Sequence, residues 1–479
     1  MVATLPDAPS VPVALLQQAL DRLSAAATSA RTYQAYYTGL HAPVIRPDRA
    51  AAGLGLTLTR FRDNLSAPVV DAVADRLAVV GIAGQRPEDA AAAQEAWAIW
   101  QMNRLPRRSG DAHLAALTTG DAYLVVWPDA DGLPRIDWSP ATLMTAAYDG
   151  ERADRLAWAI KAWVVVDSDT PDGRAQHRWR VNVYRPDAIY KLASPPWTVA
   201  DGASVAAASL PSARQLTPYA PGDEPWPLPN PLAPSLPVVH LANNPAGEGE
   251  DGASELRDVL PLQDGLNATL VNMLVAMEFV AYPQRHVTGL EIQRDEQGRA
   301  IAPFSPGASK LWQAENPDVK FGQFEPAELT QLLATADMFR HDISRVSGVP
   351  SHYFGLDDGG WPSGEALKSS EARLVKKVID RQRAFGGAWE QALTLALRLL
   401  GRAPAALEIT WASAETRERG NDVATQQGVL EICASPAPYG ARHRALTDLG
   451  YAADEAAAML ADMPAPPKEG SSRATVASA

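Results

Sequence analysis

Residues 325–401 read EPAELTQLLATADMFRHDISRVSGVPSHYFGLDDGGWPSGEALKSSEARLVKKVIDRQRAFGGAWEQALTLALRLLG. Two amphipathic helices are written there, joined by a short loop, Gly348 to Pro362, punctuated by glycine and proline. In the first arm Leu329, Leu332, Leu333, Ala336, Phe339, Ile343 and Val346 recur at the three-and-four spacing of one helical face. Pro326 suits a first helical turn, and Gly348 with Pro350 ends the helix. The second arm opens at Ser363, whose hydroxyl can cap free N–H groups, and carries Leu367, Leu374, Val375, Val378, Ile379, Phe385, Trp389, Leu393, Leu397 and Leu400 at the same period. Unbroken from Ser363 to Leu400, it would be roughly 57 Å long at about 1.5 Å per residue, so it needs a partner surface along its whole length. Gly386 and Gly387 are its weak point and predict a bend or a tight helix contact, since each costs about 1 kcal/mol relative to alanine.

Composition sets outer bounds. The 479 residues, 46% hydrophobic and 21% charged, can bury a sizeable core spread over several modules. A formal net charge of −13 disfavours tight DNA binding over the general surface, although DNA could be handled without being gripped. The single Cys433 can form neither an intrachain disulfide nor a cysteine metal site and reads as a core thiol. The N-terminus lacks a basic start followed by an apolar core, so no signal peptide is expected. The apolar run Leu270 to Tyr282 is interrupted by Glu278 and is too short to span a bilayer, so no membrane partner is expected.

Along the chain, residues 11–31, Asn64 to Val80 and Ala90 to Gln101 have helical spacing. After His113, AYLVVWPDADGLPRIDW predicts two strands around a turn at Asp131 and Gly132, and AWAIKAWVVVD with HRWRVNVYRPDAIYKL a second hairpin. From Ser194 to Pro237 there are eleven prolines, which predicts a poorly structured crossing. PVVHLAN is a short strand, and Ser254 can cap a following helix in which Pro261 predicts a kink or a late start. Residues 284–325, with VTGLEIQ, a Gly298 turn and KLWQ, make a small strand-containing unit between two helical segments. Beyond Gly401, LEITWA is a strand, Glu415 to Met463 reads as two or three short helices, and the last residues as a disordered tail.

Catalytic signatures are missing. There is no GxxxxGK[ST], HExxH or GxSxG, so no nucleotide cofactor, zinc-hydrolase or serine-hydrolase site is expected, and the eight histidines are scattered singly. A two-metal nuclease assembled from dispersed carboxylates needs no local motif and stays open as the alternative. Asp357 and Asp358 read as turn formers in a glycine-rich loop. Between Ser363 and Gly387, Lys368, Arg373, Lys376, Lys377, Arg381 and Arg383 face only Glu365, Glu371 and Asp380. They fit either a solvated helix face with salt bridges or inter-subunit and phosphate contacts.

Three stretches carry a likeness: TGDAYLVVWPDADGLPRIDWSP, SELRDVLPLQDGLNATLVNMLVAMEFVAYPQRHVTG and SGVPSHYFGLDDGGWPSGEALKSSEARLVKKVIDRQRAFGGAWEQAL. In length and order they resemble the portal proteins of tailed bacteriophages, in the branch typified by SPP1-like and actinophage portals. The resemblance implies an α+β portal fold, with an α/β wing, helical stem, small α/β clip and helical crown, closing as a cyclic homo-oligomer usually of twelve subunits. It implies a non-catalytic virion protein, assembled in the host cytoplasm. Placed at one capsid vertex, it would pass double-stranded DNA in packaging and ejection, with terminase, a head-tail connector or adaptor, and capsid or scaffold protein as partners. By that likeness 1–253 is the N-terminal region and wing, 254–283 the outgoing stem helix, 284–325 the clip and 326–347 the returning stem helix. The channel loop is then 348–362, the long helix to the wing 363–401, a wing strand 402–414, the crown 415–463 and a tail 464–479. Val349, Pro350, His352, Tyr353, Phe354, Asp357, Asp358 and Trp361 become channel-loop candidates.

Overall fold

The computed structural model describes residues 11–42, 62–167, 175–198, 209–247, 249–281, 285–289, 294, 296–298, 317–323, 329–356, 364–415, 423–435, 439–449, 451 and 453–461. In chain order, α1 (Val13–Tyr37), α2 (Ser66–Ala74), β1 (Val79–Gly84), α3 (Ala90–Met102) and α4 (Leu105–Thr119) come first. The strands β2 (Asp121–Pro128), β3 (Pro134–Pro140), β4 (Met144–Tyr148), β5 (Leu156–Asp167), β6 (Gln176–Tyr184) and β7 (Ala188–Ala193) follow. Short strands β8 (Trp197–Thr198), β9 (Thr217–Pro218) and β10 (Leu228–Pro229) lead to β11 (Val238–Ala242). Then come α5 (Leu260–Ala281), β12 (Arg285–Thr288), β13 (Lys320–Gln323), α6 (Leu329–Ser347) and α7 (Gly364–Leu399). The chain ends with β14 (Leu407–Trp411), α8 (Val423–Ala434), α9 (Tyr439–Asp448) and α10 (Ala453–Ala461). The fold is α+β and divides into two compact units, one of residues 1–37, 67–257 and 362–479, the other of 38–66 and 258–361.

The larger unit is built on α7, whose 36 residues span about 54 Å at 1.5 Å per residue. Helix α7 packs on α3, on the β1–β14 ribbon and on the antiparallel sheet β11-β2-β3. Leu374, Val378, Phe385, Trp389, Leu393 and Leu397 are buried and Val375, Ile379 and Leu400 half-buried, so the centre of the predicted stripe is the face the unit covers. Burying one such side chain stabilises by about 1.5–3 kcal/mol, which offsets the entropy of ordering so long a helix. The helix runs unbroken through Gly386 and Gly387. A Cβ on Gly386 would lie 3.3 Å from the Trp411 indole nitrogen, so the close approach foreseen there is to strand β14 and not to a helix.

Beside it lies a seven-stranded sheet of order β10-β7-β6-β5-β4, with β8 on β6 and β9 on β7. One face carries Ile160, Ala162, Trp179, Val181, Val183, Tyr190 and Leu192 and packs on α1 through Leu16, Leu20 and Leu23. Part of the other face, Ala159, Tyr184 and Ile189, packs against Tyr123 and Val238 of the three-stranded sheet.

In the smaller unit α5 packs on α6, and β12 pairs antiparallel with β13. A Cβ on Gly265 would stand 2.6 Å from the Phe339 ring, so the glycine is what lets these helices close. Gln263, fully buried, accepts from Leu65 N–H at 2.9 Å and donates to the Asp63 carbonyl, while Asp63 pairs with Arg340 at 2.9 Å.

Several boundaries differ from expectation. The helix foreseen over 64–80 stops at Ala74, because Val79 and its successors pair with Leu407–Trp411, a partner more than three hundred residues away. Helix α4 was not foreseen: Pro106 and Gly110 mask its period, although Pro106 fits the first turn. The strand foreseen through Tyr184 to Leu192 turns at Pro186, where Arg185 N–H bonds the Ala188 carbonyl. Strand β4 was also unforeseen. The described part of the proline-rich segment is structured: Trp226 stacks edge-on against Tyr190 at 5.8 Å and donates to the Lys191 carbonyl, and Asn230 bonds the Pro186 and Ser235 carbonyls. Prolines lack ladder donors, so side-chain amides and indoles do the fastening instead. Helix α5 starts late, with Pro261 in its first turn, and Ser254 caps a preceding turn by accepting from Leu256 N–H. The expected KLWQ strand lies outside the described residues, and the partner of β12 is Lys320–Gln323. The region after 415 forms α8, α9 and α10 around Cys433, Leu446, Ala456 and Leu460.

Candidate functional site: the Gly348 loop and the basic arm of α7

Helix α6 ends because Gly348 takes φ +73°, the left-handed conformation that costs glycine least. Gly348 N–H bonds the Ser344 carbonyl at 2.9 Å, and the Ser344 hydroxyl donates to the Val349 carbonyl at 2.7 Å. Pro350 leads into a single tight turn, Ser351–Phe354, closed by Gly355 at φ +69°. Val349, Pro350 and Phe354 are buried, so three of the loop candidates anchor the turn. Being buried, they face no solvent in this conformation. His352 and Tyr353 are half-buried, their rings 4.7 Å apart. Asp357, Asp358 and Trp361 lie outside the described residues.

The basic arm of α7 separates into two flanks. Lys377 and Arg381, one turn apart, converge on the Glu255 carboxylate, Arg381 at 2.7 Å, and Arg381 also donates to Asn244 Oδ1 at 3.2 Å. The Glu255 side chain is only 4% exposed. Burial alone would push its acidity up, but Lys377 and Arg381 outweigh that and hold it below the ordinary glutamate range. On the outer flank Lys376 and Arg383, both more than three-quarters exposed, share Asp380 at 3.3 and 3.6 Å. Arg373 is exposed, and the side chain of Lys368 is not among those described. The fork between salt-bridged face and contact surface therefore divides by flank: the inner pair is engaged within the chain, and the outer residues face solvent.

Glu255 was invisible in the sequence because its partners are 122 and 126 residues away. It belongs to a clamp that fastens residues 243–255. Asp251 pairs with Arg22 at 2.6 Å, Gly252 N–H donates to Asp121, Ser254 donates to the Thr118 carbonyl, and Asn243 holds the Ala253 carbonyl at 2.7 Å. A Cβ on Gly252 would stand 2.0 Å from the Gly120 carbonyl oxygen, so the close backbone crossing admits only glycine. The Gly/Glu/Asp composition of this loop was the available signal.

Two histidine clusters have the ingredients of chemistry and lack its access. Asp121 Oδ1 accepts from His240 Nε2 at 2.8 Å, and Tyr148 donates to Nδ1 at 2.9 Å, with Tyr123 stacked on the ring. The His240 side chain is 3% exposed, so no substrate reaches this chain of polar groups. His113 lies between Phe385, Trp389 and Trp411, and accepts from Trp389 Nε1–H at 2.8 Å. Burial pushes His113 down to about 3, which keeps it neutral and able to accept that bond. Among the described residues no group of three or more His, Cys, Asp or Glu is placed to hold a metal ion, and no helix is long and apolar enough to cross a membrane.

Comparison with known proteins gives this arrangement a family. The portal protein of Mycobacterium phage D29 is 28% identical over 440 residues, covering 85% of this chain and 81% of its own length. That of Mycobacterium phage L5 is 27% identical with the same coverage. Among solved structures, a chain in the neck of the native GTA particle computed with C12 symmetry shares 14% identity, with TM-score 0.42, over 84% of this chain and 94% of its own. A chain in the virion of the native gene transfer agent particle shares 14% identity, with TM-score 0.41, over 85% and 93%. Residues 60–425 match the family described as phage portal protein, SPP1 Gp6-like, and the chain belongs to that family.

Proposed function

We propose that the chain closes into a cyclic ring at one capsid vertex, a conduit for double-stranded DNA in packaging and ejection and a structural rather than catalytic part of the virion. The observation that carries this reading is the family match over residues 60–425. It is supported by the order α5, β12–β13, α6, Gly348 loop and α7, which follows the portal order of outgoing stem helix, clip, returning stem helix, channel loop and long helix. Helices α8 to α10 take the place of the crown. Leu333, Met338 and Val346 remain exposed on α6, apolar surface that neighbours in a ring would cover. The net charge of −13 suits a wall along which phosphates slide without sticking. Terminase would dock at the clip during packaging and a head-tail connector afterwards, with capsid or scaffold protein around the wing and assembly in the host cytoplasm. Twelve subunits is the count expected from the family.

The loop placement is tested by replacing Asp357, Asp358 and Trp361 with glycine. Rings should still form, and the amount of packaged DNA should fall. Normal packaging by assembled rings would contradict the assignment of 348–362 to the channel.

A further inference from the structure

The seven-stranded sheet has one half-face that the described residues of its unit cover only in part, and its composition runs against the rest of the chain. Along β5 the outward positions pass from Ala159, fully buried, to Lys161, Trp163 and Val165, which are half-buried. The antiparallel register places Lys161, Asn182 and Lys191 in one row across β5, β6 and β7. Trp163 and Arg180 form the next row, and Val165 and Arg178 the one after. These rows hold four cations and no carboxylate, in a protein of net charge −13.

Like charges on neighbouring strands repel, so such a face is destabilising unless something answers it. One answer is internal: Glu224 grips Lys191 with both oxygens at 2.7 Å. Two more lie against aromatic rings. The Arg180 guanidinium lies over the Tyr219 ring, 3.5 Å from its centroid, and Lys161 lies 5.5 Å from the Trp163 ring. Tyr219 is held in place by its own N–H, which donates to the Lys191 carbonyl. Between Tyr219 and β5 runs an open groove of about 420 Å³, with Trp163, Val165 and Val166 along one side and Arg180, Asn182 and Lys191 along the other. Val166 is 60% exposed.

We propose that this groove is a docking site for an acidic segment of a partner protein that alternates carboxylate and aliphatic side chains. Charge complementarity argues for an anionic occupant, and the apolar side argues for a peptide over a nucleic acid. Phosphodiester backbone has nothing to place against Trp163 and Val165, whereas an extended peptide sends alternate side chains to opposite sides. Arginine presents a planar fork that matches a carboxylate, and the Asn182 amide can bond either end of the peptide unit. The inference does not depend on the portal reading.

The test uses the full chain and a fluorescein-labelled peptide alternating glutamate with leucine, followed by fluorescence anisotropy. Wild-type protein should bind it and should ignore the same peptide with lysine in place of glutamate. Arg180→Glu should weaken binding by about tenfold or more, since it removes one charge pair and adds a repulsion. Arg180→Gln should fall between the two, with thermal melting confirming that both variants fold. Glu224→Gln, which releases Lys191, should tighten binding, a response that damage to the fold cannot produce. Equal affinity for wild type and Arg180→Glu, or no binding by wild type, would overturn the proposal. So would displacement of the peptide by duplex DNA of equal charge, which would mark a nucleic-acid site. A change in oligomer mass in Arg180→Glu without peptide binding would mark the groove as a contact between copies of this chain.

Discussion

Within eight residues of one helix, Lys376 to Arg383, α7 makes two ion-pair clusters of similar composition and different character. On the inner flank Lys377 and Arg381 close on a carboxylate that is almost wholly buried; on the outer flank Lys376 and Arg383 share Asp380 in solvent. The two glycines repeat the contrast. Gly386 meets Trp411, and a Cβ on Gly387 would meet nothing within 4 Å. Residue type is the same on both flanks, and burial decides what each contributes. A buried charge left without its partner is costly, whereas water replaces a lost surface pair almost without loss.

The largest break in that contrast is Glu255→Ala. It leaves two cations in a site built around one carboxylate and should destabilise the larger unit by about 3–5 kcal/mol. Chemical denaturation read by tryptophan fluorescence would register it, and a loss below about 1 kcal/mol would mean that Lys377 and Arg381 find water instead.

The next effect is in pH. His113 is depressed in the fold, so the unfolded chain binds its proton first. The stability this site contributes is full above the ordinary histidine range near 6.5 and is lost as pH falls toward about 3. Glu255 is also depressed, and its contribution is present above the ordinary glutamate range and lost as pH falls below it. Wild-type denaturation midpoints should therefore fall in two stages on acidification. His113→Gln, which keeps an acceptor for Trp389, should flatten the upper stage and leave the lower one. An unchanged upper stage would place its origin elsewhere.

Smaller still is the glycine pair. Gly387→Ala should stabilise by about 0.5–1 kcal/mol, through helix propensity alone. Gly386→Ala should gain less or lose, because its new methyl group crowds the Trp411 indole at 3.3 Å. Equal gains would show that β14 yields. Asp380→Ala, the smallest change, should move stability by no more than about 0.5 kcal/mol and should do so less at high salt.

The same contrast explains what the sequence made legible. The apolar stripe of α7 is periodic and local, so its face, length and stop at Gly401 could be read from spacing. The turn at Asp131–Gly132 and the late start at Pro261 follow from single-residue chemistry. Glu255 could not be read, since nothing about a glutamate in an acidic loop marks it as the counter-ion of two cations more than a hundred residues on. Strand β1 failed for the same cause: Val79 and Val80 fit a helix face until Ile409 and Trp411 arrive from the far end of the chain. The proline-rich segment failed for a different one. Its order comes from Trp226 and Asn230 bonding backbone carbonyls, which composition does not report. In the Gly348 loop, glycine and proline gave the turn, but which side chains it buries depended on packing.

Particle images of the assembled protein viewed along the axis test the proposed ring most directly. The portal reading predicts closed rings, twelvefold if the family count holds, around a central channel wide enough for duplex DNA. Monomers or open chains alone, across assembly conditions that include high protein concentration, would contradict it.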